Sequence, residues 1–270
     1  FAVKTLGFRG EALASIAAIS RFTIATRDRV QPVGAESHLT GGAVERIREV
    51  GIPVGTSVEV SDLFFNTPAR KKFLKGARAE YAAIAETITT TSLAHPGVAF
   101  KLARDGEVIF DYPSASHLKE RVLQTHYRAW DPHLLPLDAA QGGVALQGYL
   151  ASAELSRINR TAQLFFINNR PIKSLPLSYA LQRGYDGYLP PGHFPVAIIL
   201  LTIDPALVDV NVHPTKREVR LQDERFVLEL LTHALRDHLK RADHAPSISF
   251  SYALDKKKKY IPAAADGTKS

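Results

Sequence analysis

The sequence predicts an α+β fold in two parts. Three observations carry this. Segments 21–26, 35–40, 44–50 and 57–61 alternate apolar with polar residues ahead of the first long helical stretch, as half-buried antiparallel strands do. The strand-and-helix pattern restarts after residues 113–116. A periodic apolar stripe then closes the patterned region at Phe226, Val227, Leu230, Leu231, Ala234, Leu235 and Leu239, which is the spacing of a helix with one buried face.

Each element has its own local grounds. Ala12, Leu13, Ile16, Ala17 and Ile19 predict a short helix within 8–20, with Gly7 and Gly10 at its opening. Gly34, Gly41-Gly42 and Pro53 punctuate the next four strands, which are expected to form a meander. A helix over 77–94 puts Tyr81, Ile84, Ala85 and Ile88 on one face, with Pro96 just past its end. Strands at 98–103 and 107–112 flank Asp105-Gly106, a hairpin signal because both positions tolerate positive φ. The second part predicts a helix over 117–126, strands at 144–151 and 163–168, a helix over 174–183, a strand at 196–203 and the closing helix over 223–240. The expected divisions are 1–116, 117–243 and a linker or tail at 244–270. In the last of these Pro, Ser, Ala and Lys dominate, and Lys256 opens a run of four lysines.

Composition narrows the chemistry. The chain has 270 residues, 45% of them hydrophobic, enough to bury sizeable cores. Lys and Arg number 34 against 27 Asp and Glu, a net +7 compatible with a polyanionic partner. Cysteine is absent, which excludes disulfides, cysteine-ligated zinc and thiol catalysis. The longest apolar run, 196–201, is far too short to span a bilayer.

Four runs carry chemistry. The first, Gly7-Phe8-Arg9-Gly10-Glu11-Ala12-Leu13, sets two glycines around an arginine at the mouth of a helix. Glycine lets backbone N–H groups approach a phosphate, and a helix N-terminus favours negative charge. An ordinary loop before a helix has the same composition. The second begins at Gly55-Thr56-Ser57-Val58. A strand hydroxyl there can hydrogen-bond a base edge or an ordered water, although a strand starting after a turn needs no ligand. Asn66 or Thr67 is then placed to cap the next helix. Residues 63–79 hold five basic residues and no acid, which suits nucleic acid and a solvated helix face equally.

The third run is Val210-Asn211-Val212-His213-Pro214-Thr215-Lys216. A strand ends at a proline and a lysine projects from the turn, a mobile point charge suited to a terminal phosphate. A solvated loop lysine is the plain alternative. His213 lacks ligand-spaced partners and reads as structural. The fourth run is Phe165-Phe166-Ile167-Asn168-Asn169-Arg170-Pro171. Between residues 155 and 185 stand Arg157, Arg160, Arg170, Lys173 and Arg183, with no acid. A groove lined this way attracts DNA phosphates without reading sequence. No aromatic ladder for stacking bases is evident.

In order and spacing these runs, joined by Phe65-Asn66-Thr67-Pro68-Ala69-Arg70-Lys71-Lys72-Phe73-Leu74, resemble the ATP-binding region of the MutL family of DNA mismatch-repair ATPases. That family belongs to the GHKL group, with DNA gyrase, the Hsp90 chaperone and histidine kinases. The resemblance covers residues 1–240. It implies a partial GHKL-type ATPase α/β sandwich followed by a domain similar to ribosomal protein S5 domain 2. It implies ATP and Mg as ligands of the parent protein. Gly7, Arg9, Gly10, Glu11, Ala12 and Leu13 would line the phosphates, Thr56 or Ser57 would sit near the base, and Lys216 would reach the γ-phosphate from the second part. Asn169 stands where the family usually has glycine, and asparagine tolerates a left-handed turn.

The resemblance further implies DNA as a partner through its phosphate backbone, a homodimer in the ATP state, mismatch-recognition and downstream repair proteins, and no membrane. It implies a cytoplasmic location for a bacterial member and a nuclear one for a eukaryotic member. The family's general-base glutamate, magnesium-ligating asparagine and adenine-recognising Asp-Gly-Gly precede the lid. The chain is therefore expected to start within the lid, with no catalytic residue and no metal ligand in 1–270, and to be inactive in ATP hydrolysis by itself. Two alternatives stand beside this reading: a stand-alone non-catalytic DNA-binding module, and another GHKL-superfamily ATPase such as a topoisomerase subunit. The runs at 66–74 and 211–216 argue against the second.

Overall fold

A computed structural model describes residues 11–209 and 219–244. The class is α+β, as expected. The first half runs α1 (Ala12–Ala17), β1 (Arg21–Arg27), β2 (Gly34–Thr40), β3 (Ala43–Val50), β4 (Gly55–Ser61), α2 (Pro68–Lys71), α3 (Ala77–Ala94), β5 (Phe100–Arg104) and β6 (Glu107–Tyr112). The second half opens with α4 (Leu118–Gln124) and a 3-10 helix (His126–His133). It continues through β7 (Leu134–Gln141), β8 (Val144–Ala151), β9 (Ser156–Arg157), β10 (Gln163–Ile167), β11 (Arg170–Ile172) and α5 (Leu175–Gly184). After these come β12 (Phe194–Pro195), β13 (Ala197–Thr202), β14 (Val208–Asp209), β15 (Arg220–Leu221) and α6 (Glu224–His244).

The first sheet is antiparallel in the order β3-β2-β1-β4. The expected meander therefore holds only for β1 to β3. β4 returns to the free edge of β1, with Thr26 opposite Thr56 and Arg21 opposite Ser61. Alternation fixes the face of each side chain but not the neighbour of each strand. Since side chains alternate across a strand and paired residues share a face, one face carries Phe22, Ile24, Leu39, Ile47, Val58 and Val60. The other carries Thr23, Glu36, His38, Arg46, Arg48 and Glu59. The sheet is less buried than its pattern suggested: Phe22, Ala25 and Gly34 are buried, and β4 is exposed throughout.

On the polar face four side chains form a chain of contacts. Thr23 Oγ1 lies 3.1 Å from His38 Nδ1, and His38 Nε2 lies 2.7 Å from Glu36 Oε1. Arg48 Nε donates to the same carboxylate oxygen at 2.6 Å. The hydrogen bond with His38, then that from Arg48, holds the Glu36 carboxyl below its ordinary pKa.

Asn66 does not cap α2. Its Nδ2 donates instead to Ala18 O at 2.9 Å, tying the loop to the end of α1. Thr67 occupies the cap position without a side-chain hydrogen bond, and Pro68 starts the helix, where its fixed φ is already suitable. α3 ends at the residue before His95, as Pro96 foretold. Its buried contacts come from Thr89, Ser92, Leu93 and Ala94, whereas Ile84, on the apolar face that the periodicity marks, is exposed. The hairpin of β5 and β6 turns at Asp105 and Gly106, both at positive φ.

The second sheet has five strands in the order β11-β10-β13-β8-β7. The pair β10 and β13 is parallel, joined through α5, and the other pairs are antiparallel. Its central strands are buried on both faces, which is why they read as unbroken apolar runs. Phe165, Ile167, Ile199 and Leu201 pack against Leu177 and Leu181 of α5 and against Val227, Leu231 and Leu235 of α6. The closing stripe thus sits where its period placed it. Leu164, Phe166 and Ile198 face the other way, onto Val122, Tyr127 and Trp130 and onto Leu93 and Ala94 from the last turn of α3. This core draws on residues from both sides of position 116.

Arg121, fully buried, pins the same region. Its guanidinium donates to Pro96 O at 2.7 Å and to Val98 O, and lies over the rings of Phe100 and Tyr112. Among the described residues no helix is long and apolar enough to cross a membrane.

Candidate functional site

An open cavity of about 1100 Å³ lies between α3, the 3-10 helix, the start of β10 and the first turn of α5. Three of the five expected DNA-contacting cations line it: Arg157, Arg160 and Lys173. Arg157 sits exposed on the short strand β9. Arg160 is held between the rings of Tyr179 and Phe194, 4.6 and 4.8 Å from their centroids. Such sandwiching fixes a planar guanidinium in place. Lys173 is exposed and immediately precedes Ser174, whose hydroxyl accepts from Leu177 N at 3.2 Å and caps α5.

The other two cations stand apart from this lining. Arg170 is half-buried on β11, and desolvation pushes its pKa down. Arg183 is exposed in the last turn of α5, where its carbonyl accepts from the Arg236 guanidinium at 3.3 Å.

The cavity also contains residues that sequence reasoning passed over. Gln163 heads β10, is 8% exposed, and lines the cavity. Neither its Nε2 nor its Oε1 has a hydrogen-bond partner. Tyr127 and Trp130, with rings 4.4 Å apart, form part of the wall. Tyr127 donates its hydroxyl to Glu86 Oε1 at 2.9 Å, and its burial first, then Glu86, pushes its pKa far upward. The one signal for Gln163 was a polar residue opening an apolar run.

The described nucleotide candidates fall elsewhere. Gly7, Arg9, Gly10 and Lys216 lie outside the described residues, as does His213. Glu11 occupies the cap position of α1 without a side-chain hydrogen bond, and Ala12 and Leu13 form its exposed first turn. At six residues α1 is the short helix expected within 8–20. Register separates the two hydroxyl candidates. Thr56 pairs with Thr26, its Oγ1 2.8 Å from that of Thr26, on the face of Ile24 and Val58. Ser57 pairs with Ala25 on the polar face of Glu36 and His38. No residue of α1 or of β1 to β4 lines the cavity. Among the described residues no group of three His, Asp or Glu is placed to hold a metal ion.

Comparison with known proteins fits this architecture. A family model described as "DNA mismatch repair protein, C-terminal domain" matches residues 123–240. The ATPase domain of the mismatch repair endonuclease MutL from Aquifex aeolicus is 30% identical, with a TM-score of 0.60, over 84% of this chain and 80% of that one. A second structure of that domain, complexed with ADP, is 29% identical with a TM-score of 0.60, over 83% and 77%. The class is thus a partial GHKL-type ATPase sandwich followed by an S5 domain 2-like part. The DNA mismatch repair protein MutL of Opitutus terrae is 40% identical over 96% of this chain and 41% of its own length. The chain belongs to the MutL family of DNA mismatch repair proteins. It spans less than half the length of the curated relatives it matches.

Proposed function

We propose that this chain is the ATP-switched, DNA-binding part of a MutL-type mismatch repair protein. Residues 1–116 belong to the ATPase sandwich and 117–243 to the S5-like part that relays the nucleotide state. The observation that carries the DNA reading is the convergence of Arg157, Arg160 and Lys173 on one cavity. Cations gathered this way neutralise phosphates whatever the sequence between them. Arg170 and Arg183 extend the basic surface beyond it.

ATP is the nucleotide of this reading, and the ADP held by the related Aquifex domain supports it. The lid residues Gly7, Arg9, Gly10, Glu11, Ala12 and Leu13 take the phosphates. Thr56 takes the base side in preference to Ser57, because it stands on the sheet's apolar face. Lys216 takes the γ-phosphate. ATP then favours a homodimer that recruits mismatch-recognition and downstream repair proteins. The described acidic residues form no cluster for magnesium.

The test is a duplex titration followed by anisotropy as salt rises from about 50 to 200 mM, over which a protein making several phosphate contacts loses orders of magnitude in affinity. Arg157→Glu and Lys173→Glu suit this test because both side chains are exposed, whereas a glutamate at half-buried Arg170 risks the fold. The double variant should bind all duplexes more weakly, and mismatched and matched duplexes alike. Unchanged affinity at low salt removes this surface from the account.

A further inference from the structure

We infer that Asn66 is a positioning residue of the nucleotide response, which fastens the end of α1 to a two-state loop at 62–67 leading into the cations of α2. The inference rests on the reading of Glu11, Ala12 and Leu13 as part of an ATP lid. Those residues cap and open α1, and all three are exposed. The helix is anchored at its other end, where Ala17 is buried.

Three successive carbonyls just past that end accept hydrogen bonds. Asn66 Nδ2 donates to Ala18 O at 2.9 Å, Phe64 N to Ile19 O at 2.7 Å and Gly41 N to Ser20 O at 3.1 Å. Arg21 Nε, next in sequence, pairs with Asp62 Oδ2 at 3.1 Å. The loop thus grips α1 through Asp62, Phe64 and Asn66. Of the three carbonyl contacts, that of Asn66 is made by a side chain, so substitution can remove it and leave the backbone pairs in place.

The gripped loop is not at rest. Asp62 has φ +50° and Phe64 φ +65°. Aspartate tolerates the left-handed region, but a bulky residue such as phenylalanine is disfavoured there. Thr67 stands at the cap position of α2, yet its hydroxyl caps nothing: it is buried and, among the described residues, has no hydrogen-bond partner. A threonine in that place ordinarily accepts from an N–H of the first turn, and a buried unpartnered hydroxyl forfeits its bonds with water. Strain of this kind persists only where neighbouring structure imposes it, and the neighbour that the loop grips is the end of α1. Released from α1, the loop has a relaxed form in which Phe64 leaves the left-handed region and Thr67 turns to cap α2. The position of α1 therefore biases a loop with two discrete states, as a switch requires. The change passes through Pro68 to Arg70, Lys71 and Lys72, all exposed.

Amide hydrogen exchange on the complete protein, with and without a non-hydrolysable ATP analogue, follows segments 12–20 and 62–72 side by side, and calorimetry follows analogue binding. In wild type the analogue should change exchange in both segments. Asn66→Asp keeps the shape of the side chain and loses the donor. It should bind the analogue within about threefold of wild type and respond at 12–20, but lose at least about fivefold of the response at 62–72, the lower end of a coupling between sites. Asn66→Gln, which keeps the donor, should restore part of that response. Thr67→Val should melt at an equal or higher temperature, because a methyl replaces an unpartnered hydroxyl, and should respond less, because the relaxed form loses its cap. An Asn66→Asp protein that responds like wild type in both segments, with or without a lower melting temperature, makes Asn66 a structural residue and overturns the inference. So does a wild type that responds at 12–20 alone. A wild type that binds no analogue, or binds it with no change at 12–20, refutes the lid reading itself and the inference with it.

Discussion

The side-chain amide of Asn168 pairs with the backbone of Ile203 as though it were one more residue of a strand. Its Nδ2 donates to Ile203 O at 2.9 Å, and its Oδ1 accepts from Ile203 N at 3.0 Å. The backbone N–H of Asn168 donates to Leu201 O. The parallel ladder of β10 and β13 is thereby continued past its last backbone pair, across a residue whose own φ is +48°. Asn168→Ala should cost about 2–3 kcal/mol, from two lost hydrogen bonds and the left-handed conformation it leaves unrelieved. Asn168→Gly should cost less, since it relieves the conformation. Urea denaturation of both variants checks the order, and equal losses would show that the conformation contributes nothing.

Gly148 lies mid-strand in β8 at φ +137°, where an added Cβ would stand 2.0 Å from Ile198 O. The obstacle is backbone of the neighbouring strand, which cannot step aside. Gly148→Ala should therefore lose about 4 kcal/mol or more. Gly143→Ala, at φ +79° with open space around it, should lose about 1 kcal/mol. Thermal melts by circular dichroism separate the two, and similar melting temperatures would refute the close approach.

Glu36 gives the first sheet a pH dependence of definite sign. Its folded pKa lies below the ordinary 4.5, chiefly through His38 and then Arg48. A group with a depressed folded pKa stabilises the fold above its unfolded value, and that stability is lost as pH falls through the folded value. The melting temperature of wild type should exceed that of Glu36→Gln at pH 6 to 7, and the gap should close below about pH 4.5. A gap that persisted to lower pH would have another cause.

Thr56 and Ser57 differ in the face they present, and so should differ in effect. In the complete protein, Thr56→Val should weaken ADP binding about tenfold, the scale of one hydrogen bond, while Ser57→Ala leaves it unchanged. Calorimetric titration measures both. If Thr56→Val binds ADP as well as wild type, its hydroxyl serves only the contact with Thr26.

Much of the fold was legible because local signals were strong. Pro96 bounded α3, Asp105-Gly106 turned its hairpin, and the stripe from Phe226 to Leu239 found α5 and the sheet. Asn169, replacing the family's usual glycine, takes φ +63° as such a substitute must. β7 escaped notice because Pro136 and Asp138 interrupt its pattern. It is an edge strand, where a missing N–H is tolerated. The return of β4 to β1 is a non-local choice that alternation does not encode. At the cavity, the cations were visible as an acid-free stretch, but Gln163 was not, and neither was buried Arg121 elsewhere in the fold, since burial of a polar side chain depends on what folds over it.

The embedding of the last turn of α3 in the second sheet's core makes that helix a cantilever. Eighteen residues give an arm of about 27 Å, clamped at Leu93 and Ala94 and exposed along much of its other end. A turn of the five-stranded sheet by about 10° would swing the tip at Ala77 through roughly 5 Å on an arm of that length. Just beyond that tip stand Lys75, Lys72, Lys71 and Arg70. A small angular change in one half would thereby be geared into a larger linear displacement of positive charge in the other.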